Sequence, residues 1–150
     1  MKKQRNMGNK GFSLVELIIV IAIMAILVGV IGSQANPYLE KARESKDLSA
    51  IDTVYTAFQS AIVSEGVTSN ITGKKLSEIK ADTADKTGAT KKAGETIEKL
   101  LGTKVAAKVE SGALFTSEEA KDKGVVFNYI ELTGEITVSA GTSTVIKVTN

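Results

Sequence analysis

The chain has no cysteine, no histidine and no tryptophan among its 150 residues, one proline, and only 5% aromatic residues. Without cysteine there is no disulfide to staple a small domain and no thiol nucleophile. Without histidine the commonest general base and the commonest metal ligand are both missing. No glycine-rich phosphate loop precedes a helix, and the serines have no recognisable base partner. Carboxylates are present, but nothing in their spacing brings two together for acid–base work. These absences point to a protein that is not an enzyme and needs no cofactor or metal.

What the chain has instead is one long apolar run. From Phe12 to Gly32 nearly every residue is apolar, and the single ionisable group in the run is Glu16. As a helix the segment spans roughly 31 Å, close to the hydrocarbon thickness of a bilayer. A lone carboxylate costs up to roughly 3 kcal/mol at mid-membrane, less near the start of the segment where Glu16 sits, and the surrounding Leu, Ile and Val outweigh it. Insertion is favoured, and the carboxylate marks a functional position that some cation must compensate.

Lys2, Lys3, Arg5 and Lys10 precede the apolar run with no acidic residue among them. This asymmetry keeps the amino terminus cytoplasmic and sends the rest across the membrane. The whole chain carries 19 basic and 17 acidic residues, so the part after those four cations is formally −2. The excess positive charge therefore belongs to the leader and does not identify a nucleic-acid partner. A secretory signal is the competing interpretation, because Ser33-Gln34-Ala35 has a small-x-small pattern whose cleavage would release a soluble domain beginning at Asn36. The carboxylate at position 16 and the Gly11-Phe12 pair have no use in such a signal.

Lys10-Gly11-Phe12-Ser13-Leu14-Val15-Glu16-Leu17, followed by the apolar helix, resembles the processing site of type IV prepilins and pseudopilins. The resemblance is strong to about residue 65 and fades beyond it. It implies that a prepilin peptidase cuts between Gly11 and Phe12, that Phe12 becomes an N-methylated amino terminus, and that Glu16 compensates the new Phe12 amine during assembly. Four residues separate Phe12 from Glu16, so one helical face holds both and the pairing can be made within a chain or between chains; a third reading has Glu16 recognised by the membrane assembly platform. The resemblance further implies a homopolymer, a membrane assembly platform as partner, and a surface filament serving adhesion, motility or DNA uptake. A pseudopilin of a secretion or competence system, or the soluble domain released after Ala35, are the alternatives. Many Gram-negative pilins close their last loop with a disulfide, which this chain lacks.

Gly29, Gly32 and Pro37 predict a bend or unwound stretch over 29–37. From Tyr38 to Glu65 the pattern turns amphipathic: Leu48, Ile51, Tyr55, Phe58 and Ile62 recur at spacings of three and four, with Val54 and Ala61 beside them, and Glu44, Lys46, Asp47 and Asp52 are assigned to other faces. This stripe is expected to cover the domain's own sheet, and Gly66 to stop the helix.

Val67 to about Lys92 is rich in small and polar residues and is expected to be a long exposed connection with a helical turn at Leu76 to Ile79. Its sequon Asn70-Ile71-Thr72 and its lysine pairs Lys74-Lys75 and Lys91-Lys92 are read as surface features, leaving nucleic acid an unsupported partner. A short helix is expected from Gly94 to Leu101, then strands over Lys104–Val109, Val125–Leu132, Glu135–Ser139 and Thr144–Val148 in an antiparallel meander, with turns at Thr133-Gly134 and Gly141. Glu118, Glu119 and Asp122 are read as a solvated acidic turn in preference to a calcium site.

The fold class expected is α+β: a helix of roughly 54 residues from Phe12 to Glu65 whose outer half packs on a carboxyl-terminal antiparallel sheet. The expected divisions are a cleaved basic leader (1–11), an apolar membrane and filament-core helix (12–36), and an extracytoplasmic globular domain (37–150) that includes the amphipathic helix 38–65. As a precursor the protein is expected in the cytoplasmic membrane, and after assembly at the cell surface.

Overall fold

The computed structural model describes residues 11–143 and 147–150. The expected leader positions Lys2, Lys3, Arg5 and Lys10 lie outside the described residues, as do residues 144–146 of the expected last strand. The chain divides into two compact units, one ending at Tyr38 and one running from Leu39 to Asn150. The first helix, α1 (Leu14–Glu65), contributes to both.

In the first unit, every large apolar side chain from Phe12 to Ile31 is at least 50% exposed. The helix is apolar on all sides here, and by length and composition it is able to cross a membrane. The unwound stretch expected over 29–37 does not occur, for helical structure continues through it with Pro37 inside. Proline removes one hydrogen bond and crowds one carbonyl, a local cost of about 3 kcal/mol. A helix already propagating on both sides absorbs that cost, because reopening it would forfeit several bonds.

The second unit is built around the outer half of α1. Ile51, Val54, Tyr55, Ala57, Phe58, Ala61 and Ile62 are buried, with Leu48 packed against them, so the amphipathic stripe is real. Asp47 corrects one detail: it is completely buried on that same face, four residues before Ile51, and is not a solvated charge. The helix stops at Gly66, whose φ of +61° is the left-handed conformation that glycine adopts without strain. The amide of Val67 then closes the end on the Ile62 carbonyl at 3.1 Å.

The following elements are β1 (Ile71–Lys74), α2 (Leu76–Lys80), α3 (Ala89–Leu101), α4 (Thr103–Ser111), β2 (Val125–Ile130), β3 (Glu135–Ala140) and β4 (Lys147–Thr149). The sheet order is β1-β2-β3-β4 with every neighbouring pair antiparallel. β2 and β3 pair from Val125↔Ala140 to Ile130↔Glu135, the hairpin expected around Thr133-Gly134. The ring of Phe58 on α1 meets that of Phe127 on β2 edge to face at 4.9 Å between centroids, in the geometry aromatic quadrupoles favour. The long helix and the antiparallel sheet thus share one core, and the fold is α+β.

Two further expectations are corrected. Residues 104–109 form helix α4, not a strand. Ala106 and Val109, three apart, are buried while Lys104 is exposed, and two adjacent alanines favour the helix over the β-preference of the valines. The region 67–92 is not an exposed connection either: Val67, Ile71, Leu76, Ile79, Ala89 and Thr90 are buried, and Ile71 lies in β1 opposite Tyr129. The short helix expected at Leu76 to Ile79 is present as α2, and α3 begins five residues before its expected start.

Candidate functional site

The backbone at Gly11, Phe12 and Ser13 is not helical, and α1 begins at Leu14, two residues later than the sequence pattern places it. Phe12 is 91% exposed. No atom of the described residues beyond its chain neighbours lies within 4 Å of the position a Gly11 side chain would take.

Ser13 sets the boundary. Its hydroxyl oxygen accepts the amide of Val15 at 3.3 Å, and its own amide donates to Glu16 Oε2 at 2.9 Å. The Ser13 carbonyl accepts the Leu17 amide at 3.3 Å. This is a reciprocal capping arrangement, in which two amides that a helix start leaves orphaned find side-chain acceptors. A carboxylate in the first turn also meets the positive end of the helix dipole. The sequence pattern gives Ser13 no separate role within the processing motif, although Ser-x-x-Glu before an apolar run is the signature of such a cap.

The structure therefore brings Gly11, Phe12 and Glu16 together with Ser13 around one concavity. Glu16 is exposed, turned back toward the chain start, and is the only acidic residue in the first turn of α1. Among the described residues its neighbours in the helix are apolar, and its one hydrogen bond is this capping contact.

The other polar clusters hold the second unit together. The buried Asp47 carboxylate accepts the Thr116 amide at 2.9 Å and 3.0 Å, the Thr116 hydroxyl at 3.2 Å and the Ser117 amide at 2.8 Å. Burial pushes its carboxyl upward, but the Ser117 and Thr116 hydrogen bonds outweigh it and hold the group below the usual carboxylate range. Asp85 reaches forward to the start of α3, accepting the amides and hydroxyls of Thr87 and Thr90 at 2.6–2.9 Å. Those donors, the Thr87 hydroxyl foremost, hold it well below its ordinary value.

Among the described residues no group of three or more acidic, histidine or cysteine side chains is placed to hold a metal ion. In the acidic turn, the Glu118 amide donates to Glu40 at 2.6 Å, Glu119 pairs with Lys123 at 3.6 Å, and Asp122 has a φ of +60°. Asn70 of the sequon uses its side-chain oxygen to accept the Glu131 amide at 2.8 Å, beside the buried Ile71.

Residues 6–32 match a family model described as the prokaryotic N-terminal methylation motif, the class III signal carried by type IV pilins and pseudopilins. The match covers both the capped helix start and the exposed apolar segment. No curated protein and no solved structure matches the chain.

Proposed function

We propose that this chain is the precursor of a type IV pilin-like filament subunit. A prepilin peptidase cuts it between Gly11 and Phe12 on the cytoplasmic side, Phe12 is N-methylated, and the trimmed protein polymerises. The observation that carries the reading is the coincidence of the methylation motif at 6–32 with a helix segment whose large apolar side chains are all exposed. Such a segment needs two successive environments, lipid before assembly and neighbouring copies after it. The transfer between them costs little when the same apolar surface is covered in both.

Glu16 is the charge partner of the new Phe12 amine. Its carboxylate already reaches the backbone of Ser13, one residue from where the amine is released, which supports pairing within the chain before assembly and exchange to a neighbour during it. A major subunit and a secretion pseudopilin share each of these steps.

Amino-terminal sequencing and mass measurement of the mature protein test the reading. A terminus at methylated Phe12 is the expected result. A terminus at Asn36 would identify a secreted soluble domain, and an intact Met1 a permanent anchor; either overturns it. Glu16→Gln removes the charge while keeping a hydrogen-bonding side chain at the cap. This variant is expected to be cleaved normally but to enter filaments at a small fraction of the native level, read by immunoblot of sheared surface material.

A further inference from the structure

The hydrogen bonds at the start of α1 compete for one donor. Were the helix to begin earlier, the amide of Val15 would donate four residues back, to the carbonyl of Gly11. That carbonyl belongs to the bond proposed for cleavage, and a peptidase must reach it and polarise it. In the structure the Val15 amide is instead taken by the Ser13 hydroxyl at 3.3 Å, and the Ser13 amide by Glu16 at 2.9 Å. Gly11, Phe12 and Ser13 consequently stay outside the helix.

We infer that Ser13 is a positioning residue for processing: its cap holds the helix boundary just beyond the Gly11–Phe12 bond and leaves the carbonyl of Gly11 free for the peptidase. This rests on the proposal that Gly11–Phe12 is the bond cut. Glu16 then has two roles in sequence, first as the half of the cap that tolerates a neutral side chain and afterwards as the charge partner of the amine. Without Ser13, the next residue able to start the helix is Gly11, which caps nearly as well as threonine. The helix would then close over the scissile bond.

The test follows cleavage of the full-length precursor in membranes containing a prepilin peptidase, comparing the native chain with Ser13→Ala, Ser13→Thr and Ser13→Asn. Ser13→Ala is expected to slow cleavage about fivefold, the change in population that one cap controls. Ser13→Thr and Ser13→Asn should be cleaved within about twofold of the native chain, since each preserves an acceptor at its position. In detergent micelles the Gly11 carbonyl carbon-13 resonance should move to its helical, hydrogen-bonded position only in Ser13→Ala. Cleavage of Ser13→Ala at the native rate overturns the inference. So does a result in which Thr restores cleavage and Asn does not, because the peptidase would then be reading the hydroxyl itself. Failure of the native chain to be cut at Gly11–Phe12 would instead overturn the proposed function.

Discussion

Asp47 shows what a single buried carboxylate can fix. It ties α1 to Thr116 and Ser117 through four hydrogen bonds, three from their backbone amides and one from the Thr116 hydroxyl. Replacing it by alanine strands two amides, one of them on a fully buried residue, and is expected to cost about 3 kcal/mol in urea unfolding at neutral pH. Asn retains one acceptor and should cost less. Because the folded-state carboxyl is held below its ordinary value of 3.8, its stabilisation is complete above that pH and drains as the pH falls through the folded value. The gap between the native protein and Asp47→Ala is therefore expected to be constant from neutral pH down to about pH 5 and to narrow below about pH 4. A gap that stays constant into strong acid would show that the charge contributes nothing.

The role of Asp47 is not legible in the sequence, because charged residues on an amphipathic helix are usually solvated and periodicity alone does not identify which charges have donors waiting on another element. Its donors lie 69 and 70 residues away. Glu16 stands out in the sequence because it is the one carboxylate in an apolar run, but its capping contact with the Ser13 amide is visible only in the structure. Ser13 is equally local, but its capping role hides inside the stretch that matches the methylation motif, and only the backbone shows where the helix starts.

At the scale of elements, the long helix, the β2–β3 hairpin and the α+β class can be read directly, since each carries many residues of one period. Helix α4 and strand β1 cannot. Nine residues with two valines satisfy helix and strand templates alike, and the four residues of β1 contain a glycine and one large apolar side chain. Their conformation is decided by tertiary contacts: Ile71 and Val109 are both fully buried in the common core.

Two glycines separate backbone conformation from space. Gly66 has φ +61° with nothing within 4 Å of the point where a methyl group would sit, whereas Gly112, after α4, has φ +79° and would place a Cβ 2.5 Å from the Asp122 backbone. Gly66→Ala is expected to cost about 1 kcal/mol. Gly112→Ala, which adds a backbone clash to the same strain, should cost roughly 3 kcal/mol or more. Thermal unfolding of both variants checks the ordering, and equal losses would mean that the 112–122 approach is not a rigid contact.

At the scale of the whole molecule, the two units differ in how they cover their apolar surface. The unit from Leu39 to Asn150 has its own core of Ile51, Phe58, Ile71, Ile97, Phe127 and Val138, and each such side chain contributes about 1.5–3 kcal/mol when fully buried. Expressed without residues 1–38, it is expected to be a soluble monomer that unfolds in one cooperative transition, measured by sedimentation and calorimetry. The full chain should require detergent or lipid. If the truncated protein aggregated or melted without cooperativity, the independence of this core would be refuted.

The proline inside α1 bears on how the filament proposed for this chain would respond to load. Tension along the axis of a helix is shared by its amide-to-carbonyl bonds, and at Pro37 one donor is missing, with Gly29 and Gly32 weakening the turns just before it. Stretching would begin there, lengthening the rod by a few turns while the hydrogen-bonded domain beyond it stays folded. One missing proton on a nitrogen would thus serve as the spring in an otherwise stiff cable.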